Sequence, residues 1–227
     1  MSLTLVPTGP IVRPFTVLDA AQRSPAWVQA RLGRLTGSRA ADMIATTKKG
    51  EPAAARRDLC LQLALERITG QPQEDAYVSR EMARAVALEP VAVAAYEART
   101  GCFVQRTGFL AHQTLAVGCS LDGHVGDFTG ILEVKCPKAT THLGYLQAGT
   151  VPPEYLPQIV HNLWVTGAAW CDFLSFDDRF PPHLQTSLVR YLRHEPEIAL
   201  YTLAVAAFLS EVGDLVEMVH ALHPEAA

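Results

Sequence analysis

The chain has 227 residues, of which 49% are hydrophobic and 19% are charged, a composition typical of a folded domain with a buried core rather than a disordered chain. Its five cysteines are scattered and form no CxxC pair, which argues against a disulfide framework, a zinc site and a cysteine-held iron–sulfur cluster. The net charge is −4, but residues 1–67 hold ten Lys or Arg and five Asp or Glu, so any surface for a polyanion would have to form in this N-terminal third. The alternative is that these charges are simply solvated helix faces.

The N-terminal half of the chain is predicted to be mainly helical. Ser24-Pro25 marks the start of a short helix, which places Trp27 and Arg31 one turn apart on one face. Extended chain is expected over 1–15, further helices from the turn at 36–38 through Met43, over Asp58–Ile68 and over Ser79–Thr100, and a polar loop over 71–76. The helix over 79–100 is expected to be kinked or split at Pro90.

The C-terminal half is predicted to alternate strands and helices. Two short strands are expected within Cys102–Gly118, strands over Gly130–Cys136 and Ala169–Phe176, a helix over Tyr155–Thr166, and a long helix from Pro196 to about Leu222. Strands flanked by helices predict an α/β fold with helical cover. We expect a single domain over 1–227, with a catalytic core at about 24–178 and a C-terminal helical extension at about 183–222.

The C-terminal helix is apolar almost all round, so it must be buried within the chain or against a neighbour. Its longest apolar run, 198–209, holds about twelve residues, whereas a membrane-spanning helix needs ~20. No basic region followed by an apolar stretch marks a leader. We therefore expect a cytoplasmic protein with no membrane partner.

The pattern that points most directly to chemistry lies on the strand over 130–136. Residues two apart on a strand share a face, so Glu133 and Lys135 project together while Leu132 and Val134 face the core. Alone, these two charges would also fit an ion pair on an edge strand. Asp122, in an Asp-Gly turn, brings a second carboxylate to the same end of the sheet. Asp122, Glu133 and the main-chain carbonyl of Val134 can hold Mg²⁺, or Mn²⁺ in its place, with Lys135 beside an attacking water.

Glu89 is a charged residue within an apolar helical stripe. The stripe consists of Met82, Val86, Val93 and Tyr96, at helical spacing. A carboxylate on the buried side of a helix is usually paired, which favours a further metal-site carboxylate. The alternative is that the following proline breaks the helix and turns Glu89 to solvent.

A third pattern indicates an anion pocket. Trp27 and Arg31 are followed by Ser38 at the predicted start of the next helix. An arginine fork, a hydroxyl and free helix N–H groups together favour phosphate. Ser38 as a simple N-cap and Arg31 as a surface arginine remain the alternatives.

Five stretches occur together and in order: SPAWVQARLGRLTGSRAA, ALEPVAVAAYE, CSLDGHV, GILEVKCP and PPEYLPQIVHNLWVTGAAWCDF. As a set, over roughly residues 24–178, they resemble the phage-type alkaline exonucleases (the YqaJ or lambda-exonuclease family) of the PD-(D/E)XK superfamily. The resemblance implies a central mixed β-sheet flanked by helices. It also implies a 5′→3′ exonuclease that digests one strand of linear duplex DNA and leaves a 3′ overhang. A ring-shaped homotrimer and a single-strand annealing partner protein for recombination follow from the same resemblance.

The resemblance also implies a role for each matching residue. Metal and catalytic roles fall on Asp122, Glu133, Lys135, Glu89 and Gln158, the last touching the attacking water or the phosphate. Arg31, Ser38 and Ser120 match the pocket for the 5′-phosphate. Trp27, Lys48, Lys49 and Met82 match DNA contacts, with Met82 as a wedge at the terminal base pair.

Two positions depart from the family pattern. Ala85 replaces a frequent Gly, which puts helix packing in doubt, and His112 replaces an Asp, which puts the geometry of a second metal in doubt.

Two other functions fit parts of the pattern. The same core serves restriction-type endonucleases and Holliday-junction resolvases, but the phosphate motif over 27–38 favours an enzyme that acts at DNA ends. A catalytically silent DNA-binding subunit is the other alternative. The intact set of Asp122, Glu133 and Lys135 argues against it.

Overall fold

The computed structural model describes residues 13–73 and 79–222, so most of the segment 1–15 and part of the predicted polar loop lie outside it. Its helices are α1 Pro25–Arg31, α2 Ala40–Met43, α3 Ala54–Thr69, α4 Arg80–Thr100, α5 Ala139–Ala148, α6 Leu156–Thr166 and α7 Glu195–Leu222. Its strands are β1 Phe15–Leu18, β2 Leu35–Thr36, β3 Val104–Gln105, β4 Phe109–His112, β5 Val117–Cys119, β6 Gly123–Val125, β7 Gly130–Lys135, β8 Trp170–Phe176 and β9 Thr186–Leu192. Short 3₁₀ turns cover Gly37–Arg39, Pro153–Tyr155 and Pro182–Leu184.

The described strands form two mixed sheets rather than one. The four-stranded sheet has the order β1-β4-β5-β2, with β2 parallel to β5. The five-stranded sheet has the order β3-β6-β7-β8-β9, with β7 parallel to β8 and the other pairs antiparallel. Helices flank both sheets, so the predicted α/β class is confirmed. The chain passes from one sheet to the other over residues 120–122, between β5 and β6.

The strand β7 separates two hydrophobic cores, as its alternating sequence predicts. Ile131 packs into the larger core, which α6 and α7 share. Leu132 and Val134 pack on the opposite face into a smaller core against α4. Glu133 and Lys135 therefore lie on the Ile131 side, beneath α6.

The helix α4 runs without a break through Pro90, so of the two expectations the split is wrong, while the kink stays a prediction. Pro90 removes one main-chain hydrogen-bond donor, but its ring lies on the exposed side of the helix. The following turns bury Ala92, Val93 and Tyr96 against the sheet. Packing of this face outweighs the single lost hydrogen bond.

Several elements were not predicted. The stretch 102–118 holds three strands instead of two, and β1, β2, β6, α5 and β9 were missed. The sequence of α5 contains Thr140, Thr141 and Gly144, which are weak helix formers. β9 lies at the edge of its sheet and pairs with β8 along its whole length, so its strand conformation depends on a distant partner.

The helix α7 is only partly buried. Ile198, Tyr201, Val205, Phe208 and Val212 face the core, whereas the side chains of two leucines on the other face, Leu200 and Leu203, are 70% and 68% exposed. Counted as a whole, α7 is long and apolar enough to cross a membrane, although core helices of water-soluble proteins also meet these criteria. The expectation from the sequence rests only on the uninterrupted apolar run 198–209, which is too short to span a membrane, and not on the length of the whole helix.

Lowering the pH should destabilise the fold through His161, a buried histidine on α6. Its Nε2–H donates to the carbonyl of Gly118 over 3.0 Å, and its Nδ1 accepts from the Tyr201 hydroxyl over 2.8 Å. Burial lowers the pKa of His161 from 6.5 to about 4. The unfolded chain binds the proton first, so this contribution is complete above pH 6.5 and declines by up to about 3 kcal/mol as the pH approaches 4.

Urea unfolding near pH 7 and near pH 4.5 would measure this effect in wild type and in His161→Gln. The glutamine amide can donate and accept but does not titrate, and the contributions of other titrating groups cancel in the comparison. An equal loss of stability in the two proteins would show that His161 does not contribute.

Candidate active site and phosphate pocket

The predicted carboxylates and lysine lie together at the end of β7. Because β6 pairs with β7 only as far as Leu132, the Val134 N–H lies beyond this pairing, and it donates to Asp122 Oδ2 over 2.6 Å. The Lys135 ammonium donates to Glu133 Oε1 over 2.5 Å. Glu133 is only 2% exposed. The structure therefore brings Asp122, Glu133 and Lys135 to one point, on the face that the strand alternation predicts.

The site carries more negative charge than its lysine can offset. Burial, followed by the charge of Glu133, raises the pKa of Asp122 to about 8, although Lys135 and the Val134 N–H act in the opposite direction. Burial alone would lower the pKa of Lys135, but the charges of Glu133 and Asp122 outweigh it and raise that pKa above its ordinary value. A bound cation would relieve the repulsion between the two carboxylates.

The donor atoms fit a hard divalent ion. Oδ2 is the atom of Asp122 that accepts the described hydrogen bond, which leaves the lone pairs of Oδ1 available to a ligand. Carboxylate and main-chain carbonyl oxygens are the ligands that Mg²⁺ prefers. Within the described part of the chain, however, no three His, Cys, Asp or Glu side chains are grouped closely enough to hold one ion among themselves.

Glu89 lies on α4 and forms an ion pair with Arg106, at 3.1 Å from Oε1 to Nη1. Its side chain is 17% exposed, so the alternative that the helix breaks and Glu89 turns to solvent is wrong. The charge of Glu89 also contributes to the raised pKa of Asp122. Its electrostatic effect thus reaches the carboxylate pair, while its role as a metal ligand remains a prediction.

The predicted phosphate-binding residues lie beside these carboxylates. Ser24 caps α1 by accepting from the Trp27 N–H, and Trp27 and Arg31 share a face, with the guanidinium carbon 4.2 Å from the ring centroid. The Trp27 indole N–H donates to Ser120 Oγ over 2.8 Å. Ser120 is two residues before Asp122, so the hydrogen bond ties α1 to the loop that carries the carboxylate.

The turn that carries Ser38 packs against α6. The exposed Ser38 hydroxyl lies 3.3 Å from the hydroxyl of Thr36. A Cβ on Gly37 would collide with Asn162 Oδ1 and lie 3.5 Å from Cγ of Gln158, so only glycine allows this approach. The predicted residue Gln158 therefore adjoins the Ser38 turn.

Asn162 is a site residue that sequence reasoning missed. It is 1% exposed, and its Nδ2 donates to Glu133 Oε2 over 3.4 Å. Its Oδ1 is buried without a hydrogen-bond partner and faces Gly37. Asn162 thus connects the Ser38 turn to Glu133. The available signal was an amide one helical turn after Gln158 on an otherwise apolar helix.

The remaining predicted DNA contacts lie on the surface. Lys48 and Lys49 occupy an exposed turn between α2 and α3 and make no described contact with the carboxylates. Met82, in the first turn of α4, is 52% exposed, so its place in a buried stripe is wrong, whereas Tyr96 is fully buried. Exposure leaves Met82 accessible to a ligand.

The departure at His112 does not touch the carboxylate site. His112 ends β4 near the start of β5, and its Nδ1 accepts from the N–H groups of Thr114 and Leu115. The carboxylate site follows the other end of β5, so His112 stabilises a distant turn. The geometry of a second metal is not tested by this contact, so that expectation stays a prediction.

The chain resembles several known proteins. Residues 26–169 match the model of the YqaJ-like viral recombinase domain. The alkaline exonuclease LHK-Exo from Laribacter hongkongensis, also solved in complex with dAMP, is 37% identical with a TM-score of 0.80, over 90% of this chain and 100% of that one. No curated protein matches the chain significantly.

A phage-related exonuclease from Haemophilus somnus 129PT is 15% identical with a TM-score of 0.63, over 82% of this chain and 96% of that one, a likeness of fold alone. The family match covers more than half of the chain, and LHK-Exo shares more than a third of its residues over nearly the whole length. These relatives have the α/β fold of the PD-(D/E)XK nucleases, as the sequence motifs predict. This chain belongs to the YqaJ-like viral recombinase domain family and is similar over 90% of its length to the alkaline exonuclease LHK-Exo.

Proposed function

We propose that the chain is a metal-dependent exonuclease that digests one strand of linear double-stranded DNA from 5′ to 3′ and leaves a 3′ overhang for recombination. The observation that supports end-directed cleavage is the hydrogen bond from Trp27 to Ser120, with Arg31 stacked on Trp27, next to Asp122. A terminal phosphate carries more charge than an internal diester, so an arginine fork with hydroxyls prefers it. The complex of LHK-Exo with dAMP, a nucleoside monophosphate, agrees with release of mononucleotides.

Each residue of the site has a part in the proposed reaction. Asp122, Glu133 and the Val134 carbonyl would hold Mg²⁺, with Glu89 as a further carboxylate. When bound, the ion would polarise the scissile phosphate and acidify the attacking water. Lys135 orients that water and offsets the charge that builds on the phosphate in the transition state. The amide of Gln158, on the adjacent helix α6, contacts the water or the phosphate.

The DNA path would follow residues around this centre. Arg31, Ser38 and Ser120 bind the 5′-phosphate. Trp27, Lys48, Lys49 and Met82 contact the duplex, with Met82 as the apolar wedge at the terminal base pair. The exposure of Met82 and of both lysines is compatible with these contacts.

One digestion experiment tests the proposal against its rivals. A linear duplex, labelled at one 5′ or one 3′ end and carrying or lacking a 5′-phosphate, is compared with a closed circular duplex. An exonuclease of the proposed polarity shortens only the strand with the free 5′ end and leaves the circle intact. Nicking of the circle would indicate an endonuclease or resolvase, and absence of cleavage with any divalent ion would indicate a silent subunit.

Removal of divalent metal should abolish cleavage. The two carboxylates repel each other without a cation, and oxygen ligands select hard ions. We expect no activity in EDTA, recovery with Mg²⁺ or Mn²⁺, and inhibition by Ca²⁺, whose longer and looser coordination positions the water poorly. Initial rates on an end-labelled duplex measure all three. Full activity in EDTA contradicts the metal site.

A homotrimer should form in solution if the family resemblance extends to assembly. A ring would concentrate the positive charge of residues 1–67 around DNA, which explains how a chain of net charge −4 binds a polyanion. Size-exclusion chromatography with light scattering should give three times the 24.7 kDa chain mass. A monomer at working concentration contradicts the prediction.

A single-strand annealing protein is the partner that we propose for the overhang. Co-elution of the two proteins would test this proposal.

A further inference from the structure

A cavity lined by basic residues lies apart from the carboxylate site. It has a volume of about 330 Å³ and is lined by residues 32–34 and 112–116 and by Arg67. Two arginines, Arg34 and Arg67, line it, and none of its lining residues is acidic. Neither arginine forms an ion pair within the described residues. We call this cavity the Arg34–Arg67 pocket.

The fold holds the Arg67 side chain in place. Gly33 has a positive φ of 64°, and a Cβ there would lie 2.7 Å from Cγ of Arg67, so the arginine packs directly on the glycine. The Arg67 Nε–H donates to the Gly33 carbonyl over 3.0 Å, while Glu66 accepts from the Gly33 N–H over 2.8 Å. These bonds fix one edge of the guanidinium before any ligand is present.

One nitrogen of the same guanidinium lacks a hydrogen-bond partner. Arg67 Nη2 is buried and has none. Unpaired buried donors are costly, and native structures rarely leave them without a function. Burial, with a smaller contribution from the positive charge of Arg34, lowers the pKa of Arg67. An anion in the pocket would offset the like charges of Arg34 and Arg67.

The remaining wall of the pocket adds further donors. His112 Nδ1 accepts from the main-chain N–H of Thr114 and Leu115, so the neutral ring carries its proton on Nε2. Arg34 Nη1 donates to the Leu115 carbonyl over a long 3.4 Å, which leaves most of its donors available. Two arginines and a ring N–H suit a phosphate group, whose oxygens accept from guanidinium forks.

The position of the pocket relative to the active site favours DNA as the source of that phosphate. β2 and β5 are parallel, and both begin at the pocket and end at the phosphate-binding residues Ser38 and Ser120. From Arg34 to Ser38 the chain makes two strand steps of about 3.3 Å and two 3₁₀ steps of about 2 Å, which together span roughly 11 Å. This length corresponds to about three base-pair steps along a duplex.

We propose that the Arg34–Arg67 pocket binds a backbone phosphate of the DNA a few nucleotides from the reacting end. A contact there would hold the substrate between successive cuts, separately from the grip on the 5′ end. The phosphate chemistry of the pocket stands on its own, while the DNA as its source rests on the proposed function.

The first arm of the test measures phosphate binding without metal or cleavage. Arg31→Ala is the background, which removes the pocket for the 5′-phosphate. Tm is measured in inorganic phosphate and in chloride at equal ionic strength. We expect phosphate to raise Tm in this background, and the added change Arg34→Ala or Arg67→Met to remove the rise. Arg57→Ala, an exposed arginine on the same helix as Arg67, controls for loss of charge and for general salt effects.

The second arm measures affinity for a duplex with 5′-hydroxyl ends, in Ca²⁺ to prevent cleavage, as a function of salt. Arg34→Ala should weaken binding by about tenfold, as expected for a charged hydrogen-bonded contact. The slope of log K against log salt should fall by about 1, whereas Arg57→Ala should retain it.

The two arms separate the outcomes. The proposal is supported if the variants lose both the rise of Tm in phosphate and the salt-dependent part of duplex affinity. Loss of the phosphate response alone means that the pocket binds free phosphate or a nucleotide, and the DNA part is wrong. If Arg34→Ala and Arg67→Met behave like Arg57→Ala in the first arm, and Arg34→Ala does so in the second, the pocket is not a phosphate site. The first arm remains valid even if the exonuclease assignment fails, since it requires no cleavage.

Discussion

Lys135→Ala should abolish cleavage of linear duplex DNA, with a loss of about 10³-fold or more in the single-turnover rate. The ammonium of Lys135 lies 2.5 Å from Glu133 and 4.8 Å from the centroid of the Tyr155 ring, so its position is fixed within the site. We expect its contribution in the transition state, where charge builds on the phosphate, and so the rate falls while DNA affinity changes little. Quenched cleavage of an end-labelled duplex, with enzyme in excess, measures the rate directly.

Lys138→Ala is the matched control. Lys138 is three residues away and its side chain is 70% exposed, so it loses the same charge outside the site. Glu133→Ala should be as inactive as Lys135→Ala, because Glu133 is a proposed metal ligand. DNA binding and Tm are used to verify that Lys135→Ala and Glu133→Ala are folded. A near-normal cleavage rate for folded Lys135→Ala would exclude Lys135 as a catalytic residue.

Arg31→Ala should slow digestion of a 5′-phosphorylated duplex strongly and digestion of a 5′-hydroxyl duplex only slightly. The loss expected for a charged hydrogen-bonded contact is on the order of tenfold to a hundredfold. Arg31 lies over the Trp27 ring, and Trp27 is hydrogen-bonded to Ser120, so the guanidinium is oriented beside the carboxylates. The measured quantity is the ratio of the two rates in wild type and in the variant.

Arg31→Lys separates charge from geometry. Lysine keeps the positive charge but lacks the planar fork, so the ratio should lie between those of wild type and Arg31→Ala. If Arg31→Ala lowers both rates equally, Arg31 is a general backbone contact or a folding residue. The assignment of the 5′-phosphate pocket then fails, although the catalytic group remains unaffected.

Several features of this protein were readable from the sequence because they depend on local geometry. The two-residue period of a strand places Glu133 and Lys135 on one face and Leu132 and Val134 on the other. The cap at Ser24 starts α1 one turn before the Trp27 and Arg31 pair. Helix and strand periods act over a few residues, so these contacts need no knowledge of the rest of the chain.

The family motifs extended this local information. They associated Ser120 and Asp122 with residues almost a hundred positions earlier, and the hydrogen bond between Trp27 and Ser120 agrees with that association. The motifs carry no geometry of their own, so the roles of Lys48 and Met82 remain predictions. Which face Met82 presents could not be read from the helical stripe, because exposure depends on the neighbours of α4.

Only the tertiary structure decided the features that arise from distant contacts. Packing of α4 against the sheet keeps the helix continuous at Pro90, against its local preference. Asn162 becomes a partner of Glu133 only because α6 lies over β7 and meets the Gly37 turn. Arg67 reaches the Arg34 loop because Gly33, 34 residues earlier, leaves room for its side chain. The physical reason is common to all three: the energy that selects these arrangements comes from burial and hydrogen bonding between segments far apart in the chain, which no local pattern encodes.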